Sequence, residues 1–276
     1  MGFFLRCLLS IILLFPSWGR AQGQAPFTIG VAPHTSARVI VESYQPLRRY
    51  LEKMLKQPVE VVTAPDFTEF TRRTQAGEYD LVVTTGHLAW LAREEAGYVP
   101  LLTYKAEFKA LVVVAKSGPV KTPEDLRGRV VLGLSPSSGV TLWGGHWLRQ
   151  QALDTAPIRY ISASDSVGYA VAEGEAAAGF VSLANLQKMP EAVRQHLRIL
   201  VESPPLAGRT YLLAARQAGR AVPVLGALLD FAETPEGQRY MAESKLGGYR
   251  PLRAGELDGM APYGRIVREQ LKTAAK

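Results

Sequence analysis

The chain has 276 residues, 47% of them hydrophobic and 21% charged, which is a globular composition and excludes intrinsic disorder. Its net charge is +7, but the excess is scattered and no five basic residues run together, which argues against a nucleic-acid partner. The only cysteine is Cys7, in the N-terminal segment, so the rest of the chain can form neither a disulfide nor a thiolate metal site.

That N-terminal segment reads as an export leader. Met1 to Arg6 is positive, Cys7 to Phe15 is apolar, and Gly19-Arg20-Ala21 offers the small residues a signal peptidase accepts. We expect cleavage after Ala21 and no later membrane span. Without Arg6 and Arg20 the charge is 30 basic against 25 acidic residues, or +5, since residues 1–21 hold no acid.

From there strands and helices alternate, the signature of an α/β protein. Phe27–Val31 is predicted as a strand, Arg38–Leu55 as an amphipathic helix, Val59–Thr63 as a strand, and Asp66–Ala76 as a helix that Asp66 caps. Tyr79–Thr84 is a strand, Leu88–Ala96 a helix, and Val99–Tyr104 a strand. Leu111–Ala115 is a wholly apolar, β-branched run of the buried kind. A short helical piece at Lys121–Leu126 leads to the strand Val130–Gly133. Ile158–Ser162, the helix Asp165–Ala172, the strand Gly179–Ser182 and a helix from Leu183 continue the alternation. Leu197–Glu202 and Thr210–Ala215 are strands, and Val222–Glu233 and Pro235–Glu243 are helices. Junctions containing Pro or Gly near 104–108 and 203–209 suggest two lobes, with the chain crossing over and back.

One stretch stands out for chemistry. Ser135-Pro136-Ser137-Ser138-Gly139-Val140-Thr141 lies between the strand ending at Gly133 and a helical segment, Leu142–Leu153. The first turn of a helix has unpaired N–H groups and a partial positive charge, so a hydroxyl-rich turn placed there suits an anion. Ser137 and Ser138 add donors, and Gly139 admits close approach. A serine in such a turn also serves as a helix cap, and both readings fit these seven residues. Gly144 and Gly145 within the helix are unexpected at about 1 kcal/mol each relative to alanine; close packing or a kink would account for them.

Motifs along the chain carry a resemblance. Ile29-Gly30-Val31-Ala32-Pro33, Tyr44-Gln45-Pro46-Leu47, Ala64-Pro65-Asp66-Phe67, Gly77-Glu78-Tyr79-Asp80, Thr122-Pro123-Glu124-Asp125-Leu126-Arg127-Gly128, Ala170 to Glu175, Ser203-Pro204 and Thr234-Pro235-Glu236-Gly237 occur in that order. Over about 27 to 265 the chain resembles the phosphate/phosphite/phosphonate class of periplasmic substrate-binding proteins that serve ABC importers. The resemblance implies a two-lobed α/β fold, each lobe a mostly parallel sheet flanked by helices, with the ligand cleft at the hinge. Lobe 1 would comprise 26–104 plus 210–276, and lobe 2 would comprise 105–209. It implies a monomer in the periplasm that takes a small oxyanion to a membrane permease, with no cofactor and no catalysis. A sensing component and an exported hydrolase are the alternatives; the hydrolase lacks a Gly-x-Ser-x-Gly elbow and a histidine placed to serve Ser138.

The implied pocket is the turn, with Ser135, Ser137, Ser138 and Gly139, together with Phe67, Thr85, Gly86, His87, Ser164, Ala184 and Arg209; His34 is added because, like His87, it follows a strand of the first lobe and can hydrogen-bond an anion in the cleft. Pro136 replaces a hydroxyl residue of the family's serine-rich clamp, and Phe67 and Thr85 stand where relatives carry tyrosines. Ala184 and Arg209 take positions where acidic residues meet an amine, which points to a ligand without an ammonium group. Against metal binding, His34 and His87 lack a third partner, because His146 lies about 12 Å down the helix from Ser138 at ~1.5 Å per residue.

Overall fold

A computed structural model describes residues 25–161 and 163–274, and the expected leader falls outside them. The first lobe opens with β1 (Phe27–Val31), α1 (Ala37–Leu55), β2 (Val59–Val62), α2 (Phe67–Gln75), β3 (Leu81–Thr85), α3 (Gly86–Ala96) and β4 (Val99–Tyr104). The chain then crosses to β5 (Ala110–Ala115), β6 (Val131–Gly133), α4 (Gly139–Gln150), β7 (Ile158–Tyr160), α5 (Ser164–Ala172), β8 (Ala178–Ser182), α6 (Leu183–Lys188), α7 (Glu191–Arg194) and β9 (Leu197–Glu202). It returns through β10 (Arg209–Leu213), α8 (Ala221–Glu233), α9 (Pro235–Glu243), β11 (Tyr249–Arg250) and α10 (Ala261–Ala274). Local signals explain several starts. The Ser36 hydroxyl accepts from Val39 N at the head of α1, the Asp66 carboxylate accepts from Glu69 N at 2.9 Å, and Pro235 sits in the first turn of α9.

One sheet runs β11-β4-β10-β3-β1-β2 and the other β7-β6-β8-β5-β9. The two-lobed α/β reading stands, but the sheets are mixed rather than mostly parallel. β1 pairs parallel with β2 and β3, and β6 with β7 and β8, whereas β10 and β5 run against their neighbours. The cause is the double crossing. A chain that crosses a hinge arrives at the cleft end of the new sheet, so its first strand there must run away from the cleft. The two crossings lie side by side: Leu206 N donates to the Phe108 carbonyl and Ser203 N to the Ala110 carbonyl, each at 2.8 Å.

Three apolar clusters hold the layers. One packs α1, α8 and α9 on the first sheet and another packs α5 to α7 on the second. The third is shared: Val82, Leu88 and Trp90 of the first lobe join Val112, Trp143 and Phe180 of the second, together with Tyr263 and Val267 of α10. Helix α10 was not among the expected elements, and it packs on both α3 and α4. The glycine pair in α4 separates into two cases. A Cβ on Gly144 would lie 2.4 Å from the Phe180 ring, so close packing explains that glycine, whereas one on Gly145 would meet Ile158 at an ordinary 3.5 Å.

A candidate anion site where the strand ends meet

Because β1, β2 and β3 are parallel, their carboxyl ends all open on one edge of the first sheet; β6, β7 and β8 do the same in the second. Ligands in open α/β sheets sit beyond such ends, where helices begin. One bond shows that the two edges face each other. His87, the second residue of α3, places Nε2 3.0 Å from the Ser137 carbonyl of the serine turn.

The turn itself is tightly made. Ser138 N donates to the Ser135 carbonyl at 3.0 Å, and the Ser138 carbonyl accepts Leu142 N at 2.9 Å to start α4. Thr141 Oγ1 accepts from Leu134 N at 2.9 Å, tying the helix back to the strand exit. Ser138 holds the cap position with extended backbone, yet its side chain makes no capping bond. Capping therefore does not account for the Ser138 hydroxyl, which leaves it available to a ligand. The Ser135 and Ser137 hydroxyls stand 3.4 Å apart.

Buried polar atoms ordinarily have partners, so those without one have bonding capacity to offer a further group. Seven such side-chain atoms occur among the described residues, and three belong to expected site residues: Thr85 Oγ1, His87 Nδ1 and Ser164 Oγ. A fourth is the Tyr44 hydroxyl, which stands beside the Arg209 guanidinium. His87 is 1% exposed, and burial lowers its pKa from 6.5 to about 4 against the opposing pull of the Ser137 carbonyl. The ring is therefore neutral at pH 7. A carbonyl can only accept, so Nε2 carries the proton and Nδ1 is a bare acceptor.

Arg209 stands directly opposite Thr85 in antiparallel register, so the two side chains share a face. It opens β10 in the first sheet instead of closing the second lobe, where the sequence boundary at 209 had put it. Burial opposes its charge, while the phenol oxygens of Tyr44, Tyr104 and Tyr240 favour it, and no carboxylate contributes. Behind it the Tyr104 and Tyr211 hydroxyls bond at 2.6 Å, and Tyr249 donates to Tyr211 at 2.9 Å. His34 stands nearby with Nδ1 donating to the Ala32 carbonyl at 2.8 Å. Its pKa is lowered by desolvation first, then by Arg209, with a smaller push from Lys188. Water reaches the His34 side chain, which weakens the desolvation part, so Arg209 is the firmer cause.

The structure thus brings His87 to Ser137 and Gly139, Thr85 to Arg209, and Arg209 within electrostatic reach of His34. It gives no contact joining Phe67 or Ser164 to them. Phe67 packs against the shared core, and Ala184 is exposed. Gly86 has a structural duty, since a Cβ there would lie 2.4 Å from the Ala207 carbonyl of the returning crossing. Three neighbours escaped the sequence reading. Phe108 lies 3.8 Å from where a Gly139 Cβ would be, Lys188 acts on His34, and Tyr44 borders Arg209. Only Phe108 left a signal, its place in a junction. His146 is turned away, edge-on to Tyr263 at 5.8 Å, and no three metal-ligating side chains cluster among the described residues. Hollows elsewhere on the surface, one beside Lys105, Asp230 and Lys245 and another along α10, lack such unpartnered atoms. They are not the candidate site.

Two lobes joined by paired crossings, with unpartnered polar atoms where their strand ends meet, define a hinged ligand-binding protein. The sequence matches over residues 29–257 the family described as ABC transporter, phosphonate, periplasmic substrate-binding protein. The chain belongs to that family. It is accordingly a periplasmic substrate-binding component of an ABC transporter, and its family is one of transport components instead of enzymes.

Solved structures agree on the fold. XAC2383 of Xanthomonas citri bound to ATP superimposes with a TM-score of 0.78 at 19% identity, over 89% of this chain and 99% of that one. PhnD1 of Prochlorococcus marinus in complex with methylphosphonate gives 0.74 at 14% identity, over 88% and 98%. The aliphatic sulphonate binding protein SsuA of Escherichia coli gives 0.56 at 18% identity, over 90% and 82%. No curated protein sequence matches the chain.

Proposed function

We propose that the chain captures a small oxyanion (phosphate, phosphite or a simple alkylphosphonate) in the cleft and delivers it, as a monomer, to a membrane permease. The observation that carries this reading is the meeting of Arg209, a half-buried guanidinium without a carboxylate, with the unpartnered hydroxyl of Thr85 across the strand pair. No side-chain carboxylate pairs with this half-buried cation, and an oxyanion supplies a counter-charge together with acceptors for the hydroxyls. The start of α4 and the free Ser138 hydroxyl add donors from the other lobe. Relatives support the chemical class, since PhnD1 holds methylphosphonate and XAC2383 holds ATP. Arg209 and Ala184 offer nothing to an ammonium group, so 2-aminoethylphosphonate is disfavoured.

Calorimetric titration with phosphate, phosphite, methylphosphonate and 2-aminoethylphosphonate tests this. At least one of the first three binds tighter than the amine by ~1.4 kcal/mol, a factor of ten. Tighter binding of the amine would sink the ligand assignment, and no binding by any of them would sink the reading itself.

A further inference from the structure

Most anion sites are built of donors alone, but here one buried atom beside the turn is an acceptor. His87 Nε2–H is committed to the Ser137 carbonyl at 3.0 Å, and the ring cannot change tautomer without breaking that bond. The lone pair on Nδ1 is buried with no partner among the described residues. That edge of the ring lies beside the first turn of α4, where a Cβ on Gly139 would be 3.4 Å from both Nδ1 and Cε1. An acceptor repels a fully ionised oxyanion and bonds only one that still carries a hydroxyl.

We infer that His87 Nδ1 accepts a hydrogen bond from the P–O–H of a singly protonated phosphonate or phosphate, and so excludes the isosteric sulfonates and sulfate. This deepens the anion-capture reading and rests on it. The physical basis is the second ionisation of phosphorus oxyacids, which falls near neutrality, whereas a sulfonate keeps no proton except in strong acid. A phosphonate brings its own hydrogen to Nδ1; a sulfonate leaves two lone pairs facing each other or must draw a proton onto an enclosed ring. The relatives of known structure include binders of both kinds, methylphosphonate and aliphatic sulphonate, so the fold alone does not decide the matter.

No charged side chain acts on the titration of His87 itself. The turn presents the Ser135, Ser137 and Ser138 hydroxyls and the Ser137 carbonyl, and the first turn of α4 carries no acid. The returning crossing brings the Ala207 backbone to Gly86. On α10, which packs on α3, Tyr263 is neutral with its pKa raised by burial, and Arg268 is paired with Glu95 at 2.6 Å. Arg209 occupies the opposite face of the sheet with Tyr211. Only burial and the Ser137 bond act on the titration of His87.

The test is calorimetric titration of the wild-type protein with methylphosphonate and methanesulfonate at pH 5.5, 7 and 8.5. At pH 7 methylphosphonate binds at least about tenfold tighter. Above the ligand's second ionisation its affinity falls roughly tenfold per pH unit, as one linked proton requires. His87→Leu brings the two ligands within about threefold and flattens that slope. Gly139→Ala sets a methyl beside Nδ1 and produces the same loss with His87 intact, which keeps the question answerable if His87→Leu does not fold. Equal wild-type affinity for the two anions overturns the inference and leaves anion capture standing. Retained discrimination in both variants also overturns it, and failure of both anions to bind overturns the underlying reading as well.

Discussion

His87 and Arg209 lie on opposite faces at the end of the same strand, β3, and are built on opposite principles. His87 is enclosed, neutral and held by one bond to the other lobe. Arg209 is charged, surrounded by phenols and without an ionic partner. The first leaves an acceptor unsatisfied and the second leaves a cation without a counter-charge. A ligand with both a hydroxyl and a negative charge answers the two together. One face supplies attraction for any anion; the other face discriminates among them.

The largest expected effect separates the two faces by pH. The pKa of His87 falls from 6.5 to about 4 on folding, so between those values the unfolded chain binds a proton that the folded one refuses. Stability is therefore complete above pH 6.5 and falls as pH drops towards 4, by about 3 kcal/mol for a shift of that size. Thermal unfolding of the empty wild type should show this loss, and His87→Gln should show it reduced. A variant with an unchanged slope would mean that His87 is not held neutral. Carboxylates such as Glu69, whose pKa is lowered by its bonds to Arg72 and Arg73 to about 2, act in a more acidic window.

Next in size is Arg209→Met. It removes a charged donor to the anion, worth roughly 1.5–3 kcal/mol, or about ten- to a hundredfold in affinity. Because no carboxylate is left behind, the empty variant should melt no lower than wild type. A large drop in melting temperature with affinity unchanged would show that Arg209 serves the tyrosine core instead of the ligand. Ser138→Ala is a comparable probe from the second lobe. With no side-chain cap to lose, it should cost up to about tenfold in affinity at constant stability, and a loss of stability would restore the capping role.

The smallest effect is Thr85→Val. Its hydroxyl has no partner in the empty protein, so isosteric removal should leave stability equal or slightly higher, with binding weaker by ~1 kcal/mol. Lower stability with unchanged binding would show an internal partner for this hydroxyl.

How much of this was readable from sequence depends on whether a feature is local. β1 and β4 span Phe27–Val31 and Val99–Tyr104 as their apolar runs predict, and the strand–turn–helix around Ser138 was legible because each part has its own residue signal. Helix α10 was not. Pro262 and Gly264 break its pattern, yet the proline falls in the first turn, and the glycine is required because a Cβ there would lie 2.2 Å from the Trp90 ring. The antiparallel course of β5 and β10 follows from the hinge crossings, which no short window records. Site residue types were legible through family likeness. What was not legible was which of their atoms lack partners, since that depends on neighbours from distant parts of the chain. The expected leader and its cleavage after Ala21 lie outside the described residues.

The position of β10 also governs the order of assembly. Residues 209–213 form a central strand of the first sheet, between β3 and β4, but are made only after the whole of the second lobe. Until they arrive, the strand group β2-β1-β3 and the strand β4 have no pairing to each other, and their inner edges stay open. The second lobe, continuous from β5 to β9, completes its sheet with nothing borrowed from elsewhere. Contacts between distant residues form slowly because the loop must be closed first. The second lobe should therefore fold early and the first late, with β10 as the closing strand. The unpaired edges of β3 and β4 would be the surfaces most prone to mispairing during that interval.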